Sequence, residues 1–480
     1  MSNNQHPRFS LIGGGLAGAL LATYIGRAGY DVDLYERRTD PQAGNYVGGR
    51  SINLAISTRG IAALEELGLA DEVMQHAVPM RGRMIHDRGG GRHYQPYDKD
   101  PARHINSLGR GTLNSITLAA ARRMPNVRVF FNHRCTDVEL EKPTAHLLTG
   151  DGQTVQSSGD IVIGVDGAYS AVRRSMQKLE RFNYSQDYLA HGYKELTIPP
   201  RDGGGYRMEP NALHIWPRRS FMMIALPNID GSFTCTLFFP FDGPLSFATL
   251  KNEDDVRRFF AEQFPDAAPL MPTLLEDYRQ NPVGSMMTVR CGPWNVGGRV
   301  TLVGDAAHAI VPFYGQGMNA GFEDCIVFNA CMREFAPDWP RVFDEYYRRR
   351  KIHTDTVADL ALNNFIEMRD KTASRTFRAY KKFDRTMHRL LPGWYTPLYT
   401  MVSFTRIPYA EAVARARRQD RAALVAGILA LLAILALITW VLTLSLNAEA
   451  NPVGHDFFFG VQRCDFSAFA RIPARWRSGL

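Results

Sequence analysis

The chain has 480 residues, 45% hydrophobic and 22% charged, a globular composition that excludes extended disorder and leaves room for two or three domains, or one with a large insertion. Its net charge of +8 is dispersed rather than gathered into a stripe, so a nucleic-acid partner is not expected. The six cysteines, at 135, 235, 291, 325, 331 and 464, show no CxxC and no close histidine, which argues against zinc or a disulfide framework and for a reducing compartment.

The N-terminus lacks the charged-then-apolar pattern of a secretory signal, so export of the body is not expected. Residues 8–12 read as a buried strand, Leu16 to Ala28 as a helix and Asp31 to Tyr35 as a second strand. Between the first strand and the helix, Gly13, Gly15 and Gly18 form GxGxxG, a spacing that permits a tight turn and brings a helix N-terminus onto a pyrophosphate. Glu36 ends the second strand, where a carboxylate accepts hydrogen bonds from a ribose diol and repels a 2′-phosphate. Together they indicate FAD or NAD.

Further along, Arg83 to Arg88 and Arg92 to Tyr97 flank three glycines and read as a hairpin. Counted from Gly90, Arg83 and Tyr97 are opposed, so a guanidinium and a phenol can grip one carboxylate; an arginine stacked on a surface tyrosine is the alternative, and Pro96 stands to disturb the pairing. Strands at 127–131, 160–165 and 299–303 extend the nucleotide-binding sheet. From about 181 to 290 the patterns alternate, as in Ala212 to Trp216 and Phe233 to Phe239, which predicts an antiparallel sheet with one wet face.

Two acidic turns follow strands: Asp166-Gly167, and Gly304-Asp305 leading to Gly315-Gln316-Gly317-Met318-Asn319. A strand-end aspartate can bind a second ribitol or ribose hydroxyl, and a glycine-rich helix start can face negative charge on a reduced flavin, so two such sites along one elongated cofactor imply FAD. Each aspartate also fits a helix N-cap. After residue 321 the pattern turns helical, and Val357, Ala361, Asn364 and Met368 share one stripe; the amide of Asn364 is either satisfied by backbone or reserved for a ligand. Ala422 to Leu446 carries 25 residues without a charge, preceded by Arg415, Arg417, Arg418 and Arg421 and followed by Glu449. This predicts a transmembrane helix with residues 1–421 on the cytoplasmic side; a buried hairpin helix is the alternative.

The N-terminal glycines, Asp166-Gly167 in VDGAYSAVR and the Gly304-Asp305 segment, in that order, resemble the group A flavoprotein hydroxylases, whose fold is similar to that of p-hydroxybenzoate hydroxylase. Gly49 to Ala55, Arg81 to His86, His214 to Arg218, GQGMNAGFEDC at 315–325 and Asn364 to Asp370 resemble the kynurenine 3-monooxygenase family, across about residues 8–404. The resemblance implies an α/β, Rossmann-like FAD-binding domain (1–180 and 291–350), an inserted antiparallel β-sheet substrate domain (181–290) with the 81–100 hairpin serving it, and a helical region (351–421); the membrane helix (422–446) and a tail (447–480) are read from the residues alone.

It further implies bound FAD, NADPH as a transient co-substrate, and hydroxylation of L-kynurenine by O₂ to 3-hydroxy-L-kynurenine, a step of tryptophan degradation towards NAD. On the same resemblance Arg83, Tyr97, Asn364 and Tyr399 hold kynurenine, with Phe313 and Met368 walling its ring. FAD contacts fall to Leu16, Glu36, Arg37, Ala55, Arg110, Cys135, Asp166, Asp305, Met318 and Asn319, beside Gly13, Gly15, Gly18 and Gly317. No side chain is singled out as a catalytic acid or base. The rival readings are a related hydroxylase or epoxidase acting on another aromatic acid or a lipid, and a non-catalytic flavin-binding membrane adaptor.

Overall fold

The computed structural model describes residues 6–41, 53–98, 100–367, 386–389, 391 and 393–449, and its contacts divide the chain into two units, Met1–Arg417 and Arg418–Leu480. Met368 and the motif residues 49–52 and 368–370 lie outside the described residues.

The first unit is built on a six-stranded sheet in the order Asn295–Val296, Val300–Leu302, Ile161–Gly164, Phe9–Ile12, Val32–Tyr35, Val127–Phe130. Every pairing is parallel except that of the outermost Asn295–Val296. Four of its strands are buried at every position, as a sheet covered on both faces demands. The five strands expected from the apolar runs are thus all in one sheet, and helix Leu16–Arg27 follows the first of them.

A seven-stranded sheet runs Gly284–Gly292, Asn183–Ile198, Phe233–Pro240, Met222–Pro227, Ala212–Pro217, Gly82–His86, Arg92–Pro96. The early hairpin therefore completes the sheet made by residues 183–292, and it does so through a parallel pairing of Gly82–His86 with Ala212–Pro217. The expectation of one wet face is corrected. Trp216, Met223, Leu237 and Phe239 pack with Phe259, Phe260 and Phe264 of a helical layer, whereas the alternate residues Ile215, Met222 and Phe238 are buried with Phe313 and Phe365 on the other face. Two small three-stranded sheets were not expected: in one, Leu54–Ile56 and its neighbours are too short to show periodicity, while in the other His133–Glu139 and Thr144–Thr149 mix polar and apolar residues.

A hydrogen-bonded chain joins the hairpin to the helical layer behind it. Nδ1 of His86 lies 2.6 Å from Asp266, Nε2 of His86 lies 2.8 Å from Nδ1 of His214, and Nε2 of His214 lies 2.8 Å from the Glu209 carbonyl. A carbonyl only accepts, so His214 carries its proton on Nε2 and accepts from His86 at Nδ1. The Trp216 indole donates to Asp266, and Arg218 donates to the carbonyls of Gln263 and His86. The segments Arg81 to His86 and His214 to Arg218 are therefore partners in a structural joint. Burial, ahead of its histidine neighbour, pushes the His214 imidazole down to about 4 from its ordinary 6.5. The unfolded chain takes up that proton first, so this contribution to stability is complete above pH 6.5 and is lost as pH falls towards 4, on the order of 3 kcal/mol in all. Melting temperatures measured from pH 7 to 4.5 are expected to fall more steeply in the wild type than in His214→Gln; parallel slopes would sink the assignment.

Helix Tyr409–Glu449 starts in the first unit and makes up most of what is described of the second. Its stretch Tyr409–Leu446 is long and apolar enough to cross a membrane, with a mean hydropathy of 2.8 over 18 residues. Leu424, Ile428, Leu435 and Trp440 are each at least half exposed, which does not fit a hairpin helix buried in a soluble core.

Candidate active site

The glycine turn is shaped by contacts that no side chain could tolerate. Gly13 has a φ of +114°, donates to the Tyr35 carbonyl, and would place a Cβ 2.5 Å from the Val165 carbonyl oxygen. A Cβ on Gly18 would lie 1.9 Å from the Gly13 oxygen, so helix and strand meet with no space between. Gly15 differs: it caps helix Leu16–Arg27 in an extended conformation, without a side-chain cap or a first-turn acid, and a Cβ there would meet nothing within 4 Å. The first N–H groups of this twelve-residue helix thus receive no side-chain cap, and Gly15 leaves room beside them, the arrangement a pyrophosphate needs. Leu16 is buried and Arg37 exposed. Buried Glu36 accepts from the N–H groups of Gly14 (2.8 Å) and Arg38 (2.9 Å), bracing the turn while keeping lone pairs for a diol.

The two aspartates differ. Asp166 accepts from the Ser170 hydroxyl (2.5 Å) and the Ala171 N–H (2.6 Å), so it braces the start of helix Ala171–Met176 although the N-cap itself is Ser170, and burial raises its pKa. Asp305 opens a short helix capped by Gly304 without any side-chain bond, so it is no N-cap; its side chain is exposed between buried Gly304 and Ala306. Cys135 is half-buried, and burial followed by the charge of Asp166 pushes its thiol up to about 12, leaving it neutral and incidental. Arg110 is the exposed first residue of helix Arg110–Arg122.

Gly317, Met318 and Asn319 begin helix Gly317–Phe335. The Asn319 side chain points into the protein. Its Oδ1 accepts from the Ser57 N–H (2.9 Å), and its Nδ2 donates to the carbonyls of Ala55 (2.9 Å) and Gly315 (2.8 Å). It therefore clamps the strand holding Ala55 onto the glycine-rich turn and leaves its backbone for a cofactor.

At the substrate end one expectation is corrected: Arg83 pairs with Gln95, not with Tyr97, whose N–H donates to the Arg81 carbonyl. The turn contains three residues, with Gly90 at a φ of +84°, so its centre lies one residue before Gly90 and the register shifts by two. A shift of two preserves the face. Arg83 and Tyr97 remain diagonal neighbours, the guanidinium 5.6 Å from the Tyr97 ring and 4.9 Å from that of Tyr399, while the two tyrosine rings stack at 5.4 Å. Nε of Arg83 and the hydroxyl of Tyr97 are buried without a well-aligned hydrogen-bond partner, and the guanidinium faces the neutral Tyr97 and Tyr399 phenols, which favour its charge without neutralising it. Among the described residues no carboxylate lies within ion-pair distance of Arg83. Buried donors left unmet cost about 1–3 kcal/mol each, which an arriving carboxylate relieves.

Beside this grip Leu213 and Ile224 border both the cluster of Phe238 and Phe313 and that of Ala55, Tyr97 and Phe404. One apolar surface therefore runs from the grip to a residue assigned to the flavin. Phe313 stacks on Phe365 at 4.3 Å, and Asn364 donates to the Phe313 carbonyl (2.6 Å), so its amide holds the turn. Sequence reasoning overlooked Leu213 and Ile224, and gave no role to Tyr314, whose ring is 5.7 Å from Tyr399 and whose hydroxyl pKa is raised by burial. The alternation of the two strands carried the signal for Leu213 and Ile224; nothing local marked Tyr314. The uncapped helix, the exposed Asp305 and the clamped turn fit an FAD.

Residues 9–360 match the family described as FAD binding domain. The chain is 48% identical over 414 residues to a kynurenine 3-monooxygenase of Myxococcus xanthus, covering 86% of this chain and 89% of that one. It is 43% identical over 422 residues to a kynurenine 3-monooxygenase of Sus scrofa, covering 88% of each. Its fold is similar to that of tetrameric 2-methyl-3-hydroxypyridine-5-carboxylic acid oxygenase, with a TM-score of 0.62 at 19% identity over 83% of this chain and 96% of that one.

Proposed function

This chain belongs to the kynurenine 3-monooxygenase family of FAD-dependent enzymes, and from that premise we propose that it hydroxylates L-kynurenine beside its aromatic amine, using NADPH and O₂. The observation that carries the substrate assignment is the unmet Arg83 and Tyr97 pair at one end of an apolar surface, which suits a molecule with a carboxylate at one end and an aromatic ring at the other. A neutral lipid offers no reason for that buried guanidinium.

Bound FAD supplies the redox chemistry and the activation of oxygen. In this reading the helix start after Gly13, Gly15 and Gly18 holds its pyrophosphate, Glu36 a ribose, Asp305 the ribitol end, and the backbone of Ala55 and of Gly317 to Asn319 the flavin edge. Arg37, Arg110 and Asp166 border the same cofactor. Arg83 and Tyr97 bind the carboxylate, with Tyr399 stacked on Tyr97 to hold it in place. Leu213, Ile224, Phe238 and Phe313 exclude water from the reacting ring, and Asn364 keeps Phe313 in position. No side chain here needs to move a proton.

The apolar C-terminal helix is read as a membrane anchor. Arg415, Arg417, Arg418 and Arg421 before it and Glu449 after it favour a cytoplasmic body under the positive-inside rule. The test is NADPH oxidation by the detergent-solubilised full chain, with and without L-kynurenine. Stimulated oxidation and a product heavier by one oxygen atom are expected. Absence of stimulation in flavin-loaded protein would overturn the substrate assignment.

A further inference from the structure

The residue that opens the last helix is tied to the flavin-side turn by polar contacts. Tyr409 is fully buried, and its hydroxyl donates to Oε1 of Gln316 at 3.0 Å. Gln316 caps helix Gly317–Phe335, and its Nε2 reaches the Ser57 hydroxyl at 3.4 Å. From Ser57 the chain of contacts continues through Asn319 to Ala55 and Gly315. A line of hydrogen bonds therefore runs from Tyr409 to residues 55–57 and 315–319, the two segments assigned to the flavin edge.

Tyr409 is itself held from behind. The guanidinium of buried Arg59 lies 4.1 Å from its ring, pairs with Glu323, and donates to the carbonyls of Val402 (3.4 Å) and Ile407. Arg350 joins Glu323 (2.5 Å) to Asp324 (2.6 Å), and Asp324 accepts from the Gly304 N–H (3.0 Å) and contacts His308 (2.6 Å). The same network thus braces the turn that presents Asp305. Inside a protein such a fully paired network fixes one arrangement, and each missing member leaves a buried partner unmet.

We propose that Tyr409 is a positioning residue for the flavin: its hydroxyl, acting through Gln316, sets the 315–319 turn against Ala55–Ser57, so cofactor affinity and the coupling of NADPH oxidation to hydroxylation depend on that hydroxyl rather than on the apolar packing around it. The inference rests on the FAD assignment and is independent of which aromatic acid is hydroxylated. Without the hydroxyl, Oε1 of Gln316 is buried and unpaired, and its amide is no longer oriented towards Ser57.

The test is Tyr409→Phe in the full-length, detergent-solubilised protein, since the ring and its stacking on Arg59 are retained. FAD affinity by flavin-fluorescence titration is expected to fall about fivefold to tenfold, the loss of one buried hydrogen bond. The visible circular dichroism of the bound flavin changes, and a larger share of the NADPH consumed appears as hydrogen peroxide, at an unchanged KM for L-kynurenine. Val402→Ala is the companion, because it thins the same packing cluster without touching the hydroxyl. Wild-type affinity and dichroism in Tyr409→Phe would overturn the proposal. So would an equal loss of affinity in Val402→Ala at a matched melting temperature. Failure of the wild type to bind FAD in the same titration would instead remove the cofactor assignment.

Discussion

Replacing Arg83 by methionine is expected to lower kcat/KM for L-kynurenine by about 10²- to 10³-fold, with FAD still bound at one per chain. Losing one partner of a buried, hydrogen-bonded charge pair costs about 2–5 kcal/mol, and each 1.4 kcal/mol is tenfold. Methionine fills the volume without offering a donor. The free protein is expected to keep its melting temperature within a few degrees, because relief of the unpartnered Nε offsets the loss of the guanidinium's contacts with the Tyr97 and Tyr399 rings. Lower activity together with unimpaired stability is the signature of a group kept for the substrate. A loss below fivefold, or a loss of FAD alongside activity, would remove Arg83 from the carboxylate site.

The second large effect concerns the glycine turn, where two neighbouring substitutions should behave differently. In Gly13→Ala the new methyl meets the Val165 carbonyl oxygen at 2.5 Å and the Asp166 Cα at 2.8 Å, on a backbone whose φ of +114° an L-residue rarely adopts. Those obstacles are backbone, so the turn itself must shift, and no flavin-loaded protein is expected. In Gly15→Ala the methyl meets nothing, so the apoprotein should fold with an ordinary melting temperature. Its FAD affinity is nevertheless expected to fall by about 100-fold, because the space is open only until a pyrophosphate fills it. The FAD-to-polypeptide ratio and the apoprotein melting temperature separate the two cases. Wild-type FAD content in Gly15→Ala would mean that this helix start does not hold the cofactor.

The nucleotide-binding turn was legible in the sequence because its rules are local: strand, three glycines, helix and carboxylate lie within 28 residues, from Phe9 to Glu36. The hairpin was legible as an element and misread in register, since three consecutive glycines do not say which of them occupies the left-handed position, and the shift of two kept Arg83 and Tyr97 on one face only because it was even. What could not be read was pairing at a distance. Nothing near Gly82–His86 names Ala212–Pro217 as its neighbour, and nothing near His86 announces Asp266. Asn364 was legible as a polar residue in an apolar stripe, and Asn319 only as the end of a glycine-rich turn. That both amides clamp backbone depends on carbonyls at 55, 315 and 313, which no side-chain pattern records. Tyr314 and Tyr409 look like ordinary aromatic positions until the segments around them are assembled.

The interleaving of the two large sheets also governs how the polypeptide is made. Strand Ile161–Gly164 has Val300–Leu302 as one neighbour, while the sheet built from residues 183–292 ends on a hairpin translated at residues 82–96. At roughly 5–20 residues per second, an apolar strand edge waits on the order of ten seconds beside the ribosome before its partner emerges. Neither half reaches its final hydrogen bonding during that interval, which leaves an apolar strand edge open to misassociation through mid-translation. A message broken before codon 300 yields a product with an open sheet edge, bound for aggregation or degradation rather than for a smaller working enzyme.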